Sequence, residues 1–189
     1  MKELMDKNMI DMIFGMFCNT QSDINEHLPA LKKYSTGLNH IVEMGVRGIV
    51  STWAFLAGRP KKLTSIDINH PSIHGSNLDI VVEEAKKEGI EFNFIQGDTT
   101  KINIDECDLL FIDTWHVYDQ LKIELSLHGN KAKKFIIFHD TETFGTRGET
   151  PGYQGLIPAI EEFLNDNKHW KIKEIFKNNN GLTILERIN

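Results

Sequence analysis

Phe111-Ile112-Asp113-Thr114-Trp115-His116, read together with Phe138-His139-Asp140 further along, decides the fold of this chain. Each stretch begins as an apolar, β-rich run and ends abruptly in carboxylate and imidazole. Two parallel strands ending this way bring Asp113, His116, His139 and Asp140 together at the carboxyl edge of one sheet. That edge is where open α/β sheets bind ligands.

Outward from these stretches the chain alternates. Ser22 to Tyr34 reads as a helix, with Ile24, Leu28 and Leu31 on one face. Strands are expected at His40 to Met44, Leu63 to Ile68, Glu91 to Gln96, Asp108 to Ile112 and Lys134 to Phe138. Helices are expected at Val50 to Ala57, Asn77 to Glu88, Val117 to Leu127 and Leu156 to Asn165. Trp170 to Phe176 and Leu182 to Arg187 flank an Asn-Gly turn signal, so they pair antiparallel. Strands alternating with helices mean βαβ units. The expected fold is α/β: a Rossmann-like, seven-stranded, mostly parallel sheet with helices on both faces and an antiparallel C-terminal hairpin. One domain is expected over residues 1–189, with a helical or lid segment at 1–38 and the Rossmann-like core at 39–189. The Met-rich segment Met5 to Phe17 could close over the site or meet a second copy of the chain in a homo-oligomer.

A formal net charge of −6 argues against nonspecific nucleic-acid binding, which draws on basic patches. The two cysteines, Cys18 and Cys107, form no CxxC, which fits a reducing, cytoplasmic compartment. Met9 to Cys18 is apolar, but it is too short to span a membrane and contains Asp11. No membrane partner is expected.

Glu43-Met44-Gly45-Val46-Arg47-Gly48-Ile49-Val50-Ser51 follows the first strand and opens a helix. Glycines there let backbone turn sharply and approach a ligand. The pattern is not GxGxxG, so a plain strand-to-helix turn is an equal reading. Asp67 ends the second strand about twenty residues after the loop, where an acid can accept ribose hydroxyls. Gly97-Asp98-Thr99 is a polar turn at the same edge, able to flank an adenine ring or simply to face solvent.

Taken together, Glu43-x-Gly45, Asp67, Gly97-Asp98 and Phe111-Ile112-Asp113 resemble the class I S-adenosylmethionine-dependent methyltransferases, over a match from about Asn39 to the C-terminus. Phe-Ile-Asp-x-x-His-x-Tyr followed by Phe-His-Asp-Thr is similar to the branch of sugar O-methyltransferases and cephalosporin hydroxylase-like proteins. Catechol O-methyltransferases look like more distant relatives. The resemblance implies cofactor contacts at Glu43, Gly45, Gly48, Ser51, Asp67, Asp98, Thr99, Asp113 and Trp115. Relatives often carry a glycine just before the serine of the first motif. This chain has Ile49-Val50-Ser51, which can reset the loop around Gly48.

The resemblance to the catechol type also implies a divalent cation, magnesium or manganese, at Asp113, His139 and Asp140. The base position of those relatives maps onto His116, which as neutral imidazole could take a hydroxyl proton near pH 7. Imidazole suits zinc, manganese, iron or nickel better than magnesium. The same groups could make an iron site of two histidines and a carboxylate, or hold no metal at all, with Asp140 orienting His116. His27, His40, His128 and His169 have no partner pattern and read as structural, while His70 and His74 follow Asp67 in a loop near the cofactor and read as loop polar groups. Trp115 could wall a pocket. The long polar loop Thr141 to Gln154 offers Arg147, Glu149 and Tyr153 to an acceptor. The function expected is O-methyl transfer from S-adenosylmethionine to a small hydroxylated molecule, a sugar or glycan by resemblance. An iron-dependent oxygenase and a nicotinamide-dependent oxidoreductase are the alternatives.

Overall fold

A computed structural model describes residues 8–188; residues 1–7, including the start of the Met5 to Phe17 segment, lie outside the described part, as does 189. The helices are α1 (Met9–Asn19), α2 (Leu28–Ser35), α3 (Val50–Ala57), α4 (Leu78–Lys87), α5 (Tyr118–His128) and α6 (Leu156–Asp166). The strands are β1 (His40–Met44), β2 (Lys62–Asp67), β3 (Glu91–Gln96), β4 (Cys107–Ile112), β5 (Ala132–His139), β6 (Trp170–Phe176) and β7 (Leu182–Arg187).

The seven strands form one sheet in the order β3-β2-β1-β4-β5-β7-β6. The first five pair parallel; β7 runs antiparallel between β5 and β6. Period-two alternation divides the core. Ile41, Leu63, Leu109 and Phe111 face α2, α3 and α4, while Val42, Met44, Leu110 and Ile112 face α5 and α6. The expected fold is the observed one, with helices on both faces.

The N-terminal segment differs from expectation. In place of one helix over Ser22 to Tyr34, a 3-10 turn at Asn25–His27 precedes α2. The Ser22 hydroxyl and the Asn25 side chain bond backbone N–H groups within residues 22–25, which arrests helix growth there. Pro29 restarts the helix in its first turn, where a missing N–H costs nothing. Helix α1 packs on α3 and α2 and does not form a flap over the sheet edge; Met9, Met12 and Met16 face outward. Among the described residues, no helix is long and apolar enough to cross a membrane.

The register positions the site. Ile66 of β2, Met44 of β1, Ile112 of β4 and Phe138 of β5 are directly paired. They form the last apolar row, and the next residues along are Asp67, Gly45, Asp113 and His139. Backbone bonds carry the ladder one step further, from Gly45 N–H to Ile66 O (2.9 Å) and Asp113 N–H to Met44 O (2.8 Å). Gly45 has φ +85°, and a Cβ there would run into the Asp113 carbonyl. Gly45→Ala is therefore expected to lower stability by about 2 kcal/mol or more, read from urea unfolding. An unchanged midpoint would show that the two strand ends can separate freely.

Candidate active site

The glycine loop is shaped by two acids. Asp67 Oδ2 accepts the N–H groups of Val46 (2.8 Å) and Arg47 (2.9 Å), and its Oδ1 accepts that of Asn69 (2.8 Å). Glu43 is fully buried and accepts the hydroxyls of Ser51 (2.5 Å), Thr52 (2.9 Å) and Ser65 (2.5 Å). Burial raises the Glu43 pKa to about 7, partly offset by those hydroxyls. Glu43 thus lies beneath the loop as an internal pin, bonded to Ser51, and lines neither of the two cavities at the carboxyl edge. Ile49 holds φ +58°, a backbone that suits glycine and strains a β-branched side chain. Its side chain is buried in the core, the compensating gain.

A cavity of about 430 Å³ opens at the carboxyl edge, between the ends of β1, β2 and β4. Gly45, Asp67, Asp98, Thr99, Asp113 and Trp115, all singled out from sequence, line it. Gly48 and Ser51 line a smaller, adjoining cavity of about 100 Å³, together with Asp23 and Ile24 of the N-terminal segment. The larger one is of a size for a nucleoside-like molecule. Asp98 faces it with a carboxylate already engaged: hydrogen bonds from Lys101 and Thr100 hold its pKa at about 2. Wall residues not singled out from the sequence include Gln120 of α5, Thr100, and Asn69 of the loop after β2; His74 of that loop, read as a polar loop group near the cofactor, also lines the cavity. Behind the wall, buried Glu124 accepts hydrogen bonds from Thr99, Gln120 and Thr114, tying α5 to two loops of the site. Only its place one turn after Gln120 marked it, and that spacing is common in any helix.

One end of the cavity meets a cluster of acid and imidazole. His116 Nε2 lies 3.2 Å from Asp113 Oδ1 and 2.9 Å from Asp140 Oδ2. Its Nδ1 lies 3.0 Å from Glu149 Oε2, and its ring stacks on Phe144 at 4.9 Å. Burial works against a charged His116, but the hydrogen bonds to Asp113 and Asp140 outweigh it and raise its pKa to about 10. His139 is likewise buried, and the negative Asp113 and Asp140 beside it raise it to about 10. Asp140 is held well below the usual carboxylate range by His116 and His139 despite its burial. The sequence reading expects a neutral His116; without a cation beside them, Asp113 and Asp140 favour its charged form. The loop brings Glu149 back onto its other nitrogen. Glu149 is accordingly bound to His116, whereas the sequence offered it to an acceptor. Arg147 bridges to Gln154 within the loop, and Tyr153 leans on the exposed Trp115 at 5.6 Å.

Asp113, His139 and Asp140 each offer a ligand atom, all within 4.8 Å of one another. Apart from a 3.3 Å ion pair between His139 Nδ1 and Asp140 Oδ1, the ring nitrogens of His139 and Oδ1 of Asp140 are buried without a hydrogen-bond partner. Two carboxylates and an imidazole with unpaired donor atoms fit a divalent cation. His27, read as structural, lies edge-on to His139 with ring centroids 5.2 Å apart. Its sequence carried no signal, since the contact joins residues far apart in the chain.

No protein-family model and no curated protein sequence matches this chain. Solved structures do. The S-adenosylhomocysteine-bound methyltransferase PaMTH1 of Podospora anserina is 13% identical, with a TM-score of 0.59 over 97% of this chain and 89% of that one. A methyltransferase of Geobacter sulfurreducens is 12% identical, with a TM-score of 0.59 over 97% and 91%. The O-methyltransferase TomG of Streptomyces achromogenes, in complex with S-adenosylmethionine, is 14% identical, with a TM-score of 0.55 over 85% and 80%.

The charge cluster makes a direct prediction. In Asp140→Asn the His116 imidazole should titrate at least about one pH unit lower than in the wild type, read by NMR of its ring protons. An unchanged midpoint would remove Asp140 as the group that holds the proton. At identities this low the likeness speaks for architecture: this chain is built on the Rossmann-like methyltransferase fold.

Proposed function

We propose that the protein is an S-adenosylmethionine-dependent O-methyltransferase acting on a hydroxyl of a small molecule, most simply a carbohydrate. The observation that carries this reading is continuity. One cavity of about 430 Å³ runs from the glycine loop and Asp67 to Asp113, and Asp113 belongs to the acid-imidazole cluster. A cofactor in that cavity and an acceptor at the cluster would meet at Asp113. Structures of the same fold that carry S-adenosylhomocysteine or S-adenosylmethionine support the choice of cofactor.

When bound, S-adenosylmethionine supplies an electrophilic methyl group. The chain's part is to align the acceptor oxygen with it, since proximity and orientation account for much of such a rate enhancement. Gly45 would allow close backbone approach, Asp67 fixes the loop and retains acceptor capacity on Oδ1 for a ribose hydroxyl, and Thr99 and Trp115 would flank the adenosine. A divalent ion held by Asp113, His139 and Asp140 would lower the acceptor hydroxyl's pKa and orient it. Manganese, iron or zinc suits this donor set better than magnesium. Were Asp113 and Asp140 engaged in that way, His116 would lose the contacts that favour its proton and could accept the proton of the hydroxyl, with Glu149 steadying its other nitrogen. Trp115 and Tyr153 form an exposed aromatic pair beside the cluster, suited to stacking on a sugar face, and Arg147 lies on the same loop.

Transfer of a labelled methyl group from S-adenosylmethionine to a panel of sugars, glycosides and catechols tests the reading. Turnover of at least one hydroxylated acceptor is expected, and His116→Ala should lower it by about 100-fold or more. Asp67→Ala should weaken cofactor binding far more than metal binding, and Asp113→Ala should do the reverse. Equal effects of both substitutions on both ligands would break the division of roles.

A further inference from the structure

Among the described residues, seven buried side-chain nitrogen or oxygen atoms have no hydrogen-bond partner. Five of the seven belong to one group of neighbours: both ring nitrogens of His27, both of His139, and Oδ1 of Asp140, the last two residues meeting only through a loose 3.3 Å ion pair from His139 Nδ1. A buried polar group without a partner costs about 1–3 kcal/mol. Such a concentration in one place asks for an occupant or a function.

His27 has neither in the function proposed above. It is fully buried, between His139 and Phe176, whose ring centroids lie 5.2 and 6.0 Å away. A leucine or phenylalanine would fill that volume without leaving two polar atoms unpaired. The chain also fixes the residue from several sides. The turn Asn25–His27 sits between a surface ion pair from Asp23 to Arg47 of the glycine loop (2.9 Å) and the start of α2. Glu26 and Ser22 are bonded by Asn178 (2.5 Å) and Asn179 (3.0 Å) of the β6–β7 turn. Two loops of the sheet edge therefore hold the segment that delivers this ring.

We propose that His27 is a positioning residue for a divalent transition-metal centre at Asp113, His139 and Asp140. Nδ1 of His139 lies 3.3 Å from Asp140 Oδ1 and 3.5 Å from Asp113 Oδ1, on the side where the ion would be shared. A metal-bound histidine nearly always donates its other ring N–H to a neighbouring acceptor, which fixes its tautomer and orientation. His27 packs edge-on against His139 with the Asn178 backbone close to its ring, so a neutral His27 that donates one N–H toward that backbone can turn its other nitrogen to accept the N–H of His139. The pairing of imidazole on imidazole favours ions that take nitrogen ligands, manganese, iron, cobalt or zinc, over magnesium. This inference rests on the metal part of the proposed function and adds a positioning residue to it.

The test is calorimetric titration of the full chain with Mn²⁺, Co²⁺, Zn²⁺ and Mg²⁺, alongside the visible absorption of the Co²⁺ form. Wild type, His27→Phe and His27→Gln are compared, with Asp113→Ala as the ligand-loss control and His27→Leu as a second apolar variant should the phenylalanine fail to fold. The apolar variants should keep their thermal unfolding transition yet bind Co²⁺ and Mn²⁺ about 10- to 100-fold more weakly. His27→Gln, which keeps an acceptor, should recover part of the loss, and wild type should favour these ions over Mg²⁺. Equal affinity and an identical Co²⁺ spectrum in wild type and the apolar variants would overturn the role of His27 while leaving the metal site standing. A wild type that binds only Mg²⁺ would overturn the selectivity. A wild type that binds none of the four would overturn the metal reading itself.

Discussion

The site depends on a matter of register. Ile66, Met44, Ile112 and Phe138 lie in one row across four parallel strands, and each strand changes character at its next residue. Because side chains alternate faces along a strand, a slip of one residue in any of these strands would bury a carboxylate among apolar groups and expose a core residue. The hydrophobic effect that fixes the row thereby fixes the polar edge beyond it. Gly45 completes the constraint, since only a residue without a Cβ lets the β1 loop pass so close to the Asp113 carbonyl. Asp67, Gly45, Asp113 and His139 are neighbours because the core beneath them permits a single alignment.

Above that row, buried or half-buried acids set the loops. Glu43 gathers three hydroxyls under the glycine loop, Asp67 takes three backbone N–H groups at its mouth, and Glu124 ties α5 to Thr99 and Thr114. Each replaces water lost on burial with several hydrogen bonds, the condition under which a buried acid is tolerated. The cluster around His116 obeys a different rule. There Asp113, Asp140 and Glu149 meet two imidazoles, and Asp113 and Asp140 raise the pKa of both rings against the cost of burial. The same carboxylates can serve a proton or a cation but not both fully, so the free and loaded forms of the site would differ in charge distribution.

Much of this was readable in the chain. Alternating apolar runs, Gly and Asn-Gly punctuation and the abrupt ends at Asp67, Asp113 and His139 gave the sheet, its antiparallel hairpin and most of the cavity wall. Side-chain direction was not readable. Glu43 looked like a ligand contact because it adjoins Gly45, yet strand alternation turns it beneath the loop. His116 looked like a free base because Glu149 lies far along the chain and returns through a loop with no periodic signal. His27 looked ordinary because its partner, His139, is met only after the 3-10 turn at Asn25–His27 interrupts what reads as one continuous helix.

The central claim is that the cavity between Gly45, Asp67 and Asp113 takes S-adenosylmethionine. The most direct measurement is calorimetric titration of the purified protein with S-adenosylhomocysteine, with NAD as the comparison, before and after chelation of divalent ions. The account predicts micromolar binding of S-adenosylhomocysteine in both states and no comparable binding of NAD. Absence of S-adenosylhomocysteine binding in either state, or preference for NAD, would contradict it.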